Sequence, residues 1–236
     1  MSAPAGPRVE VSPDALSAAA AAAAEVSGRA RAAVGDRGSF TLAVSGGRSP
    51  GPMLAGLAAD DMPWAQATVF QVDERIAAAD DPSRNLTGLL SALPGAGASR
   101  VVPMPVDADD LDSACVQYAR ALPTTLDLIH LGLGADGHTA SLVPGDPVLD
   151  VHDLDVALTG QYQDRRRMTL TYPRIARARA ILWLVTGADK GPALARLLAH
   201  DPEIPAGRVA NPTQVLFCDA AAADAAGLAA VSPAAP

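Results

Sequence analysis

The sequence predicts an α/β fold: a mostly parallel, twisted sheet flanked by helices, of the Rossmann-like kind. Two observations carry this. Apolar runs of strand length alternate with helix-forming segments along most of the chain. The runs are also nearly continuous in apolar residues, which marks strands buried on both faces and therefore parallel strands joined through helical crossovers.

The elements follow in order. Ser12 starts a helix with Pro13 at its first position, and Ala-rich sequence extends it to about Val34. SFTLAVSGG, Ser39 to Gly47, reads as a buried strand closed by a glycine turn, and Gly51 to Asp60 suits a short helix. TVFQVDE, Thr68 to Glu74, is a second strand, and Ser83 is placed to cap a helix through Leu93. RVVPMP, Arg100 to Pro105, is a weaker strand broken by proline. Asp109 to Leu122 is helical, and LDLIHLGLG, Leu126 to Gly134, is a central strand. RMTLTYP, Arg167 to Pro173, alternates as an edge strand does. AILWLVTG, Ala180 to Gly187, is another buried strand, followed by a helix from Lys190 to His200. TQVLFCD, Thr213 to Asp219, is the last strand and leads into an alanine-rich stretch. With no internal repeat and no long linker, residues 1–236 are expected to form one domain with ends frayed before about Arg8 and after about Val231.

Composition narrows the function. The chain is 49 % hydrophobic and 19 % charged, enough for one substantial core. Its 18 basic and 26 acidic residues give a net charge of −8, without a basic run, which argues against a nucleic-acid partner or an anionic membrane surface. Cys115 and Cys218 lack metal-type spacing and read as buried thiols in a reducing compartment. No stretch has signal-peptide or membrane-spanning character, so a cytoplasmic protein is expected. Lys190 is the sole lysine. In so Arg-rich a chain it either marks a place where a compact ammonium serves better than a guanidinium or survives by chance.

In open α/β sheets, ligands bind outside the carboxyl ends of the strands. The unusual polar residues fall there: Ser45-Gly46-Gly47-Arg48-Ser49, Asp73-Glu74-Arg75, Gly134-Ala135-Asp136-Gly137-His138, and Thr186-Gly187 with Lys190. Gly132, Gly134 and Gly137 spell G-x-G-x-x-G, the dinucleotide fingerprint. That motif must open a full crossover helix, whereas HTASLVPGDP with Pro144-Gly145 allows barely two helical turns. The nicotinamide reading therefore fails. What remains is a tight turn presenting Asp136 and His138, where glycines admit a ligand close to the backbone and free N–H groups at a helix start suit an anion. A His beside an Asp is suited to move protons near neutral pH.

Gly132 through Leu142 resembles the signature of the 6-phosphogluconolactonase family, within the glucosamine-6-phosphate isomerase/6-phosphogluconolactonase superfamily. Ser45-Gly46-Gly47 with Ser49-Pro50, Asp73-Glu74-Arg75 with Asp81 to Asn85, Arg167 to Thr171, and Val185-Thr186-Gly187 with Lys190 resemble its other blocks in order and spacing. The chain departs from the pattern at Arg48, at Asp164-Arg165-Arg166 where prolines are common, and at Val143 where an aromatic often precedes the proline. The related deaminases carry a Phe-Asn-Glu-Pro pattern after the histidine and tend to have Tyr where Arg75 stands. This chain has Ser141-Leu142-Val143-Pro144 instead.

The resemblance implies hydrolysis of 6-phosphoglucono-δ-lactone in the pentose phosphate pathway. A glucosamine-6-phosphate deaminase or a non-catalytic sugar-phosphate sensor is the alternative. Ester hydrolysis needs an activated water and a stabilised oxyanion. His138 is expected to activate water and protonate the leaving oxygen, with Asp136 positioning it or a sugar hydroxyl. Arg75, Arg167 and Lys190 are candidate phosphate and carbonyl contacts, and Gly46 and Gly47 offer backbone N–H groups to the anion. Asp73 and Gly134 complete the expected substrate site. Arg48, Arg84, Arg165 and Arg166 read as solvated surface charges. His130, His138, His152 and His200 show no zinc spacing, so no metal or cofactor is expected. The expected partner is a phosphorylated sugar lactone. The protein is expected to be a monomer, with weak self-association left open.

Overall fold

Seven strands pair into one sheet in the order β1-β10-β9-β6-β2-β3-β5, and every pairing is parallel. The computed structural model describes residues 6–46, 50–93 and 98–228. The strands are β1 (Arg8–Ser12), β2 (Phe40–Val44), β3 (Ala67–Gln71), β5 (Val101–Val102), β6 (Leu128–Leu131), β9 (Ile181–Val185) and β10 (Gln214–Asp219). A smaller antiparallel sheet joins β4 (Asp73–Arg75), β8 (Arg167–Leu170) and β7 (Val156–Leu158), with β8 in the middle.

The continuous apolar character of the strands has a direct cause: the large sheet is covered on both faces. Ile129 and Leu131 of β6 belong to one apolar core and Leu128 to the other. Ile181, Trp183 and Val185 of β9 are split from Leu182 and Leu184 in the same way. Helices α1 (Ala15–Arg37), α2 (Pro50–Ala59) and α3 (Asn85–Ala92) close one face. Helices α4 (Leu111–Ala121), α6 (Gly191–Leu198) and α7 (Ala220–Ala225), with β7, β8 and the one-turn helix α5 (Tyr172–Ala176), close the other. Small residues let α1 approach closely: Ala18, Ala19, Ala22, Ala23 and Ala30 are all buried. Cys115 and Cys218 are free buried thiols, and burial pushes both up to about 11, so neither is a nucleophile at neutral pH.

Several expectations need correction. Arg8–Ser12 is a strand beside β10, so Ser12 ends a strand and does not start a helix. The first helix begins at Ala15 and is capped by Asp14, whose carboxylate accepts from Ser17 N at 2.7 Å. Ser83 does not cap α3; it turns back on Asp81. The cap comes from Glu74, which accepts from Asn85 N at 2.6 Å and Leu86 N at 2.8 Å. The expected strand Thr68 to Glu74 divides after Gln71, and its last residues join the smaller sheet. RMTLTYP is no edge: β8 is flanked on both sides and all four of its residues are buried. The strand β7 was not foreseen. Lys190 closes a 3-10 turn just ahead of α6 instead of opening that helix. Gly47, Arg48, Ser49 and residues 231–236 lie outside the described residues.

The neighbours β9, β6, β2 and β3 run parallel, so their carboxyl ends share one edge of the sheet. From β2 the chain proceeds outward through β3 to β5, and from β6 it proceeds the other way through β9 to β10. The reversal falls between β2 and β6, and the loops leaving those strands flank the crevice where such sheets bind ligands.

Candidate active site

The loop after β6 is the centre of the site. Gly134 N donates to His138 O at 2.8 Å and Gly137 N to Gly134 O at 3.0 Å, closing residues 134–138 into a tight turn. A Cβ on Gly134 would lie 2.1 Å from His138 Nδ1 and 2.5 Å from an Asp136 oxygen, so only glycine lets the imidazole fold back over the turn. Gly137 has φ +84°, and its carbonyl accepts from Ala206 N at 2.9 Å. No helix follows. Thr139 and Leu142 form a bridge, and the chain runs through turns to a 3-10 segment at Pro147–Asp150. The expected helix start, with its free N–H groups, is therefore absent, as is the crossover a dinucleotide motif requires.

Asp136 Oδ1 lies 2.6 Å from His138 Nδ1. Burial alone raises the Asp136 carboxyl, but the His138 charge and hydrogen bonds from His138 and Tyr162 outweigh it and hold the group below its ordinary value. Asp136 is therefore an anion at neutral pH. That assigns the Nδ1 proton to the pair and leaves Nε2 as the proton-accepting nitrogen. The second carboxylate oxygen, Oδ2, accepts from the Tyr162 hydroxyl at 3.0 Å.

Of the expected residues, Gly46, Arg75, Gly134, His138 and Lys190 line two adjoining clefts, whereas Asp73, Asp136 and Arg167 are not in the lining of either. One, of about 550 Å³, is lined by Gly46, Gly132, Gly134, His138, Thr186 and Lys190. The other, of about 180 Å³, is lined by Gly46, Arg75, Ser83, Arg84 and Asn85, so Gly46 borders both. A Cβ on Gly46 would fall within 2.5 Å of the Asn85 side chain, which gives the glycine a packing reason beside the expected backbone donation. Lys190 is ion-paired with Asp189 at 3.2 Å.

Asp73, Arg75 and Arg167 come from the smaller sheet, where Arg75 and Arg167 are direct cross-strand partners. The Arg75 guanidinium donates to Ser83 O and, at 3.4 Å, to Asn85 Oδ1. Arg167 is buried, with its guanidinium carbon 5.1 Å above the Tyr162 ring and its Nε without a partner. Asp73 is turned inward. Its carboxyl meets Ser141 Oγ at 2.6 Å, and burial raises it despite that bond and the Arg167 charge. Asp73 thus ties the histidine loop to the smaller sheet.

Arg84 is no surface charge. It is 5 % exposed and lies 3.8 Å from both the Glu74 and Asp107 carboxylates. Sequence reasoning also missed Glu74, Asn85 and Tyr162 as parts of the site. A lone aromatic in the polar loop before Arg167 was the available sign of Tyr162. Among the described residues no group of three or more His, Cys, Asp or Glu is placed to hold a metal ion, and no helix is long and apolar enough to cross a membrane.

A parallel sheet with an Asp–His pair in a loop at its carboxyl edge, and paired arginines on the adjoining smaller sheet, is the arrangement of an α/β enzyme. The chain belongs to the family described as glucosamine-6-phosphate isomerases/6-phosphogluconolactonase, whose model matches residues 13–218. It is 37 % identical over 194 residues to a 6-phosphogluconolactonase of Synechocystis, covering 75 % of this chain and 79 % of that one. The 6-phosphogluconolactonase of Thermotoga maritima superposes with a TM-score of 0.80 at 24 % identity, over 90 % of this chain and 99 % of that one. A monomeric glucosamine-6-phosphate deaminase superposes almost as well, with a TM-score of 0.79 at 18 % identity over 94 % of this chain and 100 % of that one. The fold alone does not separate the two activities.

Proposed function

We propose that this chain is a 6-phosphogluconolactonase, hydrolysing 6-phospho-D-glucono-1,5-lactone to 6-phospho-D-gluconate in the oxidative pentose phosphate pathway. The observation that carries the mechanism is the 2.6 Å contact between Asp136 and His138, which lines a cleft together with Lys190. The lactonase rather than the deaminase is favoured by the 37 % identical lactonase relative and by Ser141-Leu142-Val143-Pro144, which supplies no carboxylate for ring opening.

His138 Nε2 takes a proton from water, and the oxygen attacks the lactone carbonyl carbon. The oxyanion that forms is stabilised by Lys190 and backbone N–H groups of the glycine loops, that of Gly46 among them. Collapse breaks the bond from the carbonyl carbon to the ring oxygen, which takes the proton back from Nε2. Asp136 stays ionised and steadies the imidazolium. Arg75 and Arg167 are the cations for the phosphate, whose fork geometry suits its oxygens. Asp73, Ser141 and Gly134 hold the histidine loop in place. The reaction needs no cofactor or metal, because the lactone is already a reactive ester. The chain works as one domain, a cytoplasmic monomer.

The test is hydrolysis of freshly made 6-phosphogluconolactone, timed against its spontaneous opening, with glucosamine 6-phosphate assayed in parallel. Acid release well above the spontaneous rate supports the reading; ammonia release without lactone hydrolysis contradicts it.

A further inference from the structure

We propose that Tyr162 is a positioning residue that sets the Asp136–His138 pair and one cation of the phosphate site together; the idea rests on the lactonase reading above. The two oxygens of Asp136 are held from opposite sides, Oδ1 by His138 at 2.6 Å and Oδ2 by the Tyr162 hydroxyl at 3.0 Å. Such two-sided restraint fixes the plane of the carboxylate, and with it the direction in which Nε2 points. Burial and the Asp136 charge both raise the Tyr162 phenol, so it remains a proton donor. The ring itself lies edge-on to the imidazole, with centroids 5.7 Å apart and planes at 63°. Its face carries the Arg167 guanidinium at 5.1 Å.

The loop is built to hold this ring. Gln163 and Asp164 are consecutive non-glycine residues with φ of 50° and 61°. Tyr162 and Arg165 bridge each other across the turn, Arg165 is ion-paired with Asp81 at 2.9 Å, and Gly160 N donates to Asp146 at 2.9 Å. Tyr162 and Arg165 exchange backbone hydrogen bonds of 3.0 and 3.3 Å, so the two left-handed residues between them are the central pair of a tight hairpin turn, and Tyr162 at its base belongs to neither apolar core.

The experiment is steady-state kinetics on 6-phosphogluconolactone with Tyr162→Phe, Tyr162→Leu, Asp136→Asn and the Asp136→Asn/Tyr162→Phe double variant. It is accompanied by calorimetric binding of 6-phosphogluconate and by melting curves. Tyr162→Phe keeps the ring and should lower kcat about tenfold at near-normal KM and melting temperature. Tyr162→Leu should add a several-fold weaker binding of 6-phosphogluconate, because Arg167 loses its platform. In the Asp136→Asn background the Phe change should cost nothing further, since residues acting through one another are not additive. Wild-type kcat in Tyr162→Phe while Asp136→Asn is impaired, or additive losses in the double variant, would overturn the Tyr162 role and leave the lactonase reading standing. Unchanged product binding in Tyr162→Leu would overturn the link to Arg167. Wild-type kcat in Asp136→Asn would remove the Asp–His mechanism and the Tyr162 role with it.

Discussion

Arg75 and Arg167 stand directly opposite one another across the antiparallel β4–β8 pair. Like charges in that position are destabilising. The pairing makes physical sense if a dianion sits between them. Glucono-δ-lactone, which lacks the phosphate, should then be a far poorer substrate in kcat as well as KM, because remote binding energy is spent on orienting the carbonyl. Arg167→Met should lower kcat/KM for the phosphorylated lactone by about 10–100-fold. Equal turnover of both lactones at saturation would remove the anion site.

Gly134 offers a way to disturb the base without touching it. A methyl group there would overlap the His138 ring. The backbone at Gly134 does not need positive φ, so Gly134→Ala should fold. Its kcat should fall by about 10² as the imidazole leaves its place, with a modest change in melting temperature. Wild-type kcat in a folded Gly134→Ala protein would show that the ring position is not critical.

Glu74 is fully buried and accepts from Gln71 Nε2, Arg75 N, Asn85 N and Leu86 N, with Arg84 alongside at 3.8 Å. Removing it takes away the buried one of Arg84's two carboxylate neighbours, leaving the partly exposed Asp107, and uncaps α3. Glu74→Ala should cost about 3–5 kcal/mol in denaturant unfolding. A loss under 1 kcal/mol would mean that the hub is not structural.

His130 lies in the middle of the sheet between Val44 and Leu182, fully buried, with neither ring nitrogen partnered. Burial holds its imidazole down to about 4, against an ordinary value of 6.5. The unfolded chain therefore binds a proton below about pH 6.5 that the folded protein refuses until about pH 4. Stability from this group is full at neutral pH and lost as pH falls, by roughly 2 kcal/mol between pH 6.5 and 5. His130→Leu should be no less stable at pH 7 and should lose that slope. Parallel pH–stability curves for the two proteins would contradict this.

The large sheet was legible because its strands are buried on both faces, so β2, β3, β6, β9 and β10 each announce themselves as apolar runs. The smaller sheet was not. β7 has three residues, and β4 is the polar tail of an apolar run, too short to carry a pattern of its own. At the site, the sequence order shows that Gly134, Asp136 and His138 share one turn and that Lys190 follows a strand. It cannot show that Glu74 reaches across 11 residues to cap α3, because the donors are backbone N–H groups, which every residue has. Arg84 looked like any exposed arginine for a similar reason: its burial follows from partners distant in sequence, at Met104 and Asp107.

The central claim is that His138 moves the proton. His138→Asn retains a polar side chain of similar reach but cannot act as a base. It should still bind 6-phosphogluconate, since the proposed phosphate contacts, Arg75 and Arg167, come from other strands, while kcat falls by about 10²–10⁴-fold. A folded, product-binding His138→Asn protein with wild-type kcat on 6-phosphogluconolactone would contradict the account.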